Sequence, residues 1–163
     1  MEIERKFLIA GYPEGLPLLR EEVLLQGYLS TAPVVRIRSH KGAAGTKWVL
    51  CFKGKGSLVR EEIELEIDKV TFDKLSGLLT APLLRKDLRV YRLPEGEELE
   101  CSLVDPDTDT AFYYAEVEFE SVEQAMRFNP PPFLGEEKTE DRSFSMGQYW
   151  KRRQKRFEAQ GEE

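Results

Sequence analysis

Residues 34–67 read VVRIRSHKGAAGTKWVLCFKGKGSLVREEIELEI, and the alternation in this stretch decides the fold. Arg36 and Arg38 take one parity and Val35 and Ile37 the other; Arg60, Glu62, Glu64 and Glu66 then alternate with Glu61, Ile63, Leu65 and Ile67. A period of two is the signature of extended chain, because successive side chains leave opposite faces of a strand. The Gly-Ala-Ala-Gly run after Lys41 and the run Lys53-Gly54-Lys55-Gly56 supply the turns, so 34–40, 46–53 and 58–68 follow one another as antiparallel strands. On its own the second run is an ordinary hairpin turn, since no GxxxxGK[ST] phosphate loop is present in the chain.

The same pattern extends outward. Strands are expected at 1–9, 22–30, 84–93, 97–104 and 112–120, and helices at 71–80, 122–128 and 145–159, the first stopped before Pro82. Eight strands, few helices and no linker predict one mainly β (α+β) domain over residues 1–163, an eight-stranded antiparallel barrel flanked by a few helices. A chain of 163 residues with 40% hydrophobic content can bury a core. No apolar stretch approaches the roughly 18 to 20 residues of a membrane span, and the opening Glu2, Glu4, Arg5 and Lys6 carry no signal-peptide core, so a cytoplasmic protein with no membrane partner is expected. Cys51 and Cys101 lie in strand-like runs without metal-ligand spacing and read as two buried thiols. The single histidine, His40, borders a turn and reads as a solvated loop residue, and the Lys151–Arg156 cluster as a solvated helix face.

Charge is segregated along the chain. The net charge of −6 argues against nucleic acid as a partner. Between Val23 and Val59 there is no carboxylate, whereas Arg36, Arg38, Lys41, Lys47, Lys53 and Lys55 are cationic; from Leu93 to Ala125 there is no Lys or Arg among many Asp and Glu. A closed barrel that turned these faces inward would enclose both signs. Enclosed Arg and Lys repel one another unless an anion neutralises them, and the Arg fork suits phosphate oxygens. Glutamates at alternate positions, Glu2 with Glu4 and Glu116 with Glu118, would repel that anion unless a hard divalent cation such as Mg²⁺ or Mn²⁺ lay between. Such an interior suits a polyphosphate; an ordinary sheet with one solvated polar face fits the same alternation strand by strand.

At this point the chain resembles the CYTH domain family, the triphosphate tunnel metalloenzymes. Met1-Glu2-Ile3-Glu4-Arg5-Lys6-Phe7-Leu8 is similar to the family's ExExK strand, as found in short bacterial members. Gln26-Gly27-Tyr28-Leu29, Val35-Arg36-Ile37-Arg38, Phe52-Lys53-Gly54, Arg60-Glu61-Glu62-Ile63-Glu64 and Ala115-Glu116-Val117-Glu118-Phe119 resemble further family strands in order. Residues 132–139, with Asp141 and Phe144-Ser145, are similar to its closing segment.

The resemblance implies a charged β-barrel open as a tunnel, a triphosphate-bearing small-molecule substrate, and Mg²⁺ or Mn²⁺ as cofactor. It makes Glu2, Glu4, Glu116 and Glu118 metal ligands, with Glu62 and Glu64 in support. Lys6, Arg36, Arg38, Lys53 and Arg60 become phosphate ligands, and Tyr28 a partner for a lysine that activates water. The strand after the central helix reads Leu84-Arg85-Lys86-Asp87-Leu88-Arg89 where the family shows KxR. Lys86 and Arg89 are three apart and cannot share a face of a regular strand. Either a bulge intervenes and Lys86 lines the interior as Tyr28's catalytic partner, or Arg85 and Arg89 line it as substrate ligands and Lys86 points away. Cys51 stands where the family often has threonine, and Glu100, Ser102 and Asp105 compete for one further acidic position. Hydrolysis of inorganic triphosphate is the leading expectation. The alternatives are a class IV adenylate cyclase and a non-catalytic polyphosphate- or nucleotide-binding module. Family members often pair as homodimers, and no residue of the sequence decides for or against it.

Overall fold

The computed structural model describes residues 1–161. In chain order the elements are β1 (Glu2–Leu8), β2 (Leu18–Thr31), β3 (Val34–Gly42), β4 (Gly45–Lys53), β5 (Val59–Arg60), β6 (Glu62–Ile67), α1 (Lys69–Ser76), β7 (Leu84–Arg92), β8 (Glu98–Val104), β9 (Phe112–Glu118), α2 (Val122–Arg127) and α3 (Met146–Gly161). Every strand pairs antiparallel with its neighbours, in the order β5-β1-β9-β8-β7-β2-β3-β4-β6. Nine strands replace the expected eight because the segment expected at 58–68 changes partner at Glu61. Val59 and Arg60 pair with Ile3 and Glu2, while Glu62–Ile67 pair with β4. One chain segment therefore stands at both ends of the sheet and brings them together, leaving few strand edges unpaired.

On β1, β8 and β9 the apolar residues lie outside the barrel. Phe7, Leu99, Cys101, Ala115 and Val117, which have the parity opposite to the inward glutamates of their strands, form the main core with Phe119, Ala125 and Leu134, under α2 and the 129–139 segment. α1 is capped by Asp68, whose carboxylate accepts from Thr71 N at 2.7 Å, so the helix begins two residues before the expected start. A second cluster fills one end of the barrel: Tyr28, Leu84, Val104 and Tyr114 meet Tyr149 and Trp150 of α3. Trp150 lies 6.0 Å from Tyr28 and Tyr149 lies 5.3 Å from Phe112, ring centre to ring centre. α3 is in turn held by Asp105, which accepts from Tyr149 Oη and Arg153 Nε. The interior is thus closed at that end, where the resemblance implied an open tunnel. No described helix is long and apolar enough to cross a membrane.

Trp150 is wholly buried between the barrel end and α3. Trp150→Ala is expected to cost about 3–5 kcal/mol, read as a shift of the urea midpoint, because the void faces residues pinned by two β-ladders.

Candidate active site

The strand pleat turns a single set of side chains inward. From β3 come Arg36 and Arg38, from β4 Lys53, from β7 Lys86, from β8 Glu100 and Ser102, and from β1, β6 and β9 pairs of glutamates. They surround a cavity of about 230 Å³. A wider hollow of about 390 Å³ adjoins it, bordered by Glu2, Glu62, Glu64 and Glu118, and forms its acidic mouth. Arg36 and Lys86 are respectively 6% and 3% exposed, and among the described residues no carboxylate forms an ion pair with Arg36, Arg38 or Lys86. Arg38 Nε donates to Gln26 Oε1 at 2.8 Å, and Arg36 Nε has no hydrogen-bond partner. Burial, then the charges of Arg38 and Arg36, pulls the Lys86 amine well below the ordinary lysine range. An anion placed between these groups would restore that charge.

The acidic side is equally crowded. Glu4 is 3% exposed, and burial followed by the neighbouring Glu116 pushes its carboxyl well above the usual range. Burial also acts upward on Glu116, but the hydrogen bond from Glu4 and the charges of Lys6, Lys86 and Lys53 outweigh it and hold Glu116 low. Of the two, Glu116 is the one favoured to carry the charge. Glu100 is pushed up to about 8 by burial and by Glu118 and Glu116, while Glu2 and Glu118 are raised chiefly by burial. Lys53 offsets part of this repulsion, 2.8 Å from Glu2 and 3.7 Å from Glu62, and Lys6 lies 3.9 Å from Glu4.

Protons standing where negative charges crowd mark a place a cation would fill, and the all-oxygen donors of Glu2, Glu4, Glu116 and Glu118 fit Mg²⁺ or Mn²⁺. The closest convergence of potential donor atoms lies to one side of these: Cys51 Sγ and carboxylate oxygens of Glu62 and Glu64 all fall within 4.8 Å of one another. The thiol is a soft donor and burial raises its pKa, so this trio suits a hard cation less well than the four glutamates.

Several expectations are corrected. Arg85 and Arg89, expected as phosphate ligands, point outward: Arg85 pairs with Asp87 at 2.8 Å, and Arg89 with Glu21 at 2.9 Å over the ring of Tyr12. β7 pairs with β8 without a bulge, so Lys86 shares the inner face with Leu84, Leu88 and Val90, and the arginines take the other. Arg60 is not drawn into the cavity; its Nε donates to the Gly54 carbonyl where the chain changes partner. Tyr28 packs on Trp150 and is not bonded to Lys86, whose Nζ donates instead to Tyr114 Oη at 2.5 Å. His40 is no loop residue: it lies in β3 and lines the cavity, Nδ1 3.0 Å from Glu22 Oε2. Of the three candidates for a further acidic position, Glu100 and Ser102 face the cavity and Asp105 is engaged with α3. Sequence reasoning missed Tyr114 as Lys86's partner, although it shares the parity of Glu116 and Glu118.

A charged, one-ended barrel with enclosed cations facing carboxylates has the chemistry to hold a polyanion together with a cation. No family model matches the chain. Comparison with curated proteins finds an inorganic triphosphatase of Nitrosomonas europaea, 36% identical over 143 residues that cover 88% of this chain and 92% of that one. A crystal structure of an inorganic triphosphatase superposes with a TM-score of 0.64 at 32% identity, covering 91% of this chain and 93% of the other. A protein from Hippeastrum, studied as an adenylyl cyclase and found to have dominant triphosphatase activity, shares the fold at 20% identity and a TM-score of 0.53, over 77% and 83% of the two chains. The chain belongs to the family of the Nitrosomonas inorganic triphosphatase.

The raised pKa of Glu100 fixes the sign of a pH effect. A carboxyl whose folded pKa lies above its unfolded value of 4.5 favours the fold below that value, and the contribution is lost as pH rises to about 8. The stability of the metal-free protein relative to Glu100→Gln is therefore expected to fall between those limits, by at most about 1.4 kcal/mol per pH unit. Chemical denaturation of both at pH 5, 6.5 and 8 measures it; a rise with pH would contradict the assignment.

Proposed function

We propose that this chain is a cytoplasmic triphosphate tunnel metalloenzyme of the CYTH type that hydrolyses inorganic triphosphate with Mg²⁺ or Mn²⁺. The observation that carries the reading is a group of cations, Arg36 and Lys86 buried and Arg38 half-buried, that have no carboxylate partner among the described residues and face four glutamates across one cavity. Uncompensated buried cations are costly, and a multiply charged anion offsets that cost when bound. The close triphosphatase relative supports the choice of anion.

In this reading Arg36, Arg38, Lys53 and Lys86 bind the phosphate oxygens and neutralise charge on the departing group. Glu2, Glu4, Glu116 and Glu118 hold the divalent ion, which supplies charge neutralisation and orientation of water when bound. Lys6, expected as a phosphate ligand, is not among the residues lining the cavity and lies 3.9 Å from Glu4, where it steadies the carboxylates of β1 and β9; Glu62 and Glu64, expected as supporting metal ligands, border the mouth, Glu62 3.7 Å from Lys53. Because strands rather than loops carry these groups, little rearrangement accompanies the reaction.

Purified protein offered inorganic triphosphate, thiamine triphosphate and ATP is expected to release phosphate fastest from inorganic triphosphate, only with Mg²⁺ or Mn²⁺, and to form no cyclic AMP. Glu4→Ala combined with Glu118→Ala abolishes metal-dependent turnover; unchanged turnover would remove the metal assignment. Arg36→Ala lowers kcat/KM by about a hundredfold or more, whereas Arg85→Ala and Arg89→Ala, on the outer face, change it by less than about twofold.

A further inference from the structure

Tyr114 lies at the closed end of the barrel with its ring fixed from two sides, 6.0 Å from Phe112 and 5.8 Å from Phe144, ring centre to ring centre. It is 3% exposed, and its hydroxyl meets Lys86 Nζ, which also sits 5.0 Å from the ring centre. Lys86 lines the cavity and Tyr114 stands behind it. A lysine side chain has four rotatable bonds and three donor positions on its nitrogen, so burial alone does not fix where its charge points. The carboxylates of Glu116 and Glu100 attract this amine, and nothing in the ion-pair network ties it to either. The phenol is its one hydrogen-bond partner among the described residues.

We propose that Tyr114 is a positioning residue that acts through Lys86, holding Nζ at the closed end of the cavity as the seat of a terminal phosphate. The hydroxyl takes one donor position of the nitrogen and leaves the others facing the cavity. Without it, Lys86 swings toward Glu116 and its charge is spent on a carboxylate. The phosphate seated on Lys86 carries no ester group, because the space beyond is filled by Leu84, Val104 and Tyr114 against α3. This assignment rests on the triphosphatase reading above and adds a residue to it.

Tyr114→Phe removes one oxygen and keeps the ring against Phe112 and Phe144. It is expected to raise KM for inorganic triphosphate about tenfold, the worth of one hydrogen bond to a charged group, with kcat changed by less than about twofold and the thermal midpoint nearly unmoved. The second arm is the pair Lys86→Met and Lys86→Met/Tyr114→Phe. If Tyr114 acts through Lys86, the double variant has the same KM as Lys86→Met; the dissociation constant of tripolyphosphate in chelator, by calorimetry, follows the same pattern. An unchanged KM and dissociation constant for Tyr114→Phe, or losses in the double variant that multiply, overturn the assignment. Wild-type protein that binds tripolyphosphate without hydrolysing it overturns the hydrolase reading and leaves the calorimetric arm to decide the role of Tyr114.

Discussion

Arg36, Arg38 and Lys86 are held together inside a barrel with no carboxylate among the described residues paired to them, and most other features of the molecule follow from tolerating that arrangement. Two unit charges 5 Å apart at an effective dielectric near 20 repel by about 3 kcal/mol. The structure answers in three ways. Lys86 gives up its charge more readily than an ordinary lysine. Arg38 leans on the neutral amide of Gln26. The glutamates across the cavity supply opposite charge at a distance rather than in closed pairs. Closing each cation onto a carboxylate would relieve the repulsion and remove the ability to bind an anion.

On β1, β8 and β9 a charged interior dictates an apolar exterior, whereas β7 turns Leu84, Leu88 and Val90 inward with Lys86. Period-two alternation leaves each strand only one other face, so Phe7, Leu99, Ala115 and Val117 pack outside the barrel, and α2 with the 129–139 segment covers them. α3 has a different task, since the rings of Tyr149 and Trp150 stop the lumen where the charged layers end. Helices make up little of the chain, yet each covers a surface that the inverted barrel would otherwise leave exposed. The outer face of β6 is covered least, with Ile63 53% and Leu65 51% exposed.

Much of this is legible in the sequence because alternation is a strong signal wherever both parities differ in kind. Strands β1, β3, β4, β6 and β9 and their inward charges follow directly from it. Matters were harder where charges occupied both parities. In Leu84–Arg92 the arginines and Lys86 compete, and the deciding signal is apolar: Leu84, Leu88 and Val90 share the parity of Lys86, and the buried face of that strand is the inner one. The change of partner at Glu61 depends on where β1 and β4 lie in space, which no local pattern encodes. Partnership between Lys86 and Tyr114 likewise joins residues 28 positions apart, on strands separated by β8. His40 belongs to the strand although it borders a turn signal, because β3 runs on through it to Gly42 in its ladder with β4.

The lumen is also electrically polar along its length, and that polarity constrains how a linear polyanion lies in it. Glu2, Glu62, Glu64 and Glu118 border the mouth, while Lys86 and the two arginines lie deeper, toward the aromatic floor. A bare triphosphate gains most by driving one end down onto the cations, yet its trailing phosphates then meet the carboxylates at the mouth. A cation there would relieve that encounter, so under the proposed function anion and cation would strengthen each other's binding through charge alone, without a moving part. Glu4 and Glu116 enter the same balance from inside the cavity: the raised carboxyl of Glu4 beside the lowered one of Glu116 keeps the negative charge there down, and a cation would compete with that protonation. Under the proposed function the phosphate chain and the divalent cation would meet beside the one strand pairing of β1 and β9 that sets Glu4 opposite Glu118 and Lys6 opposite Glu116.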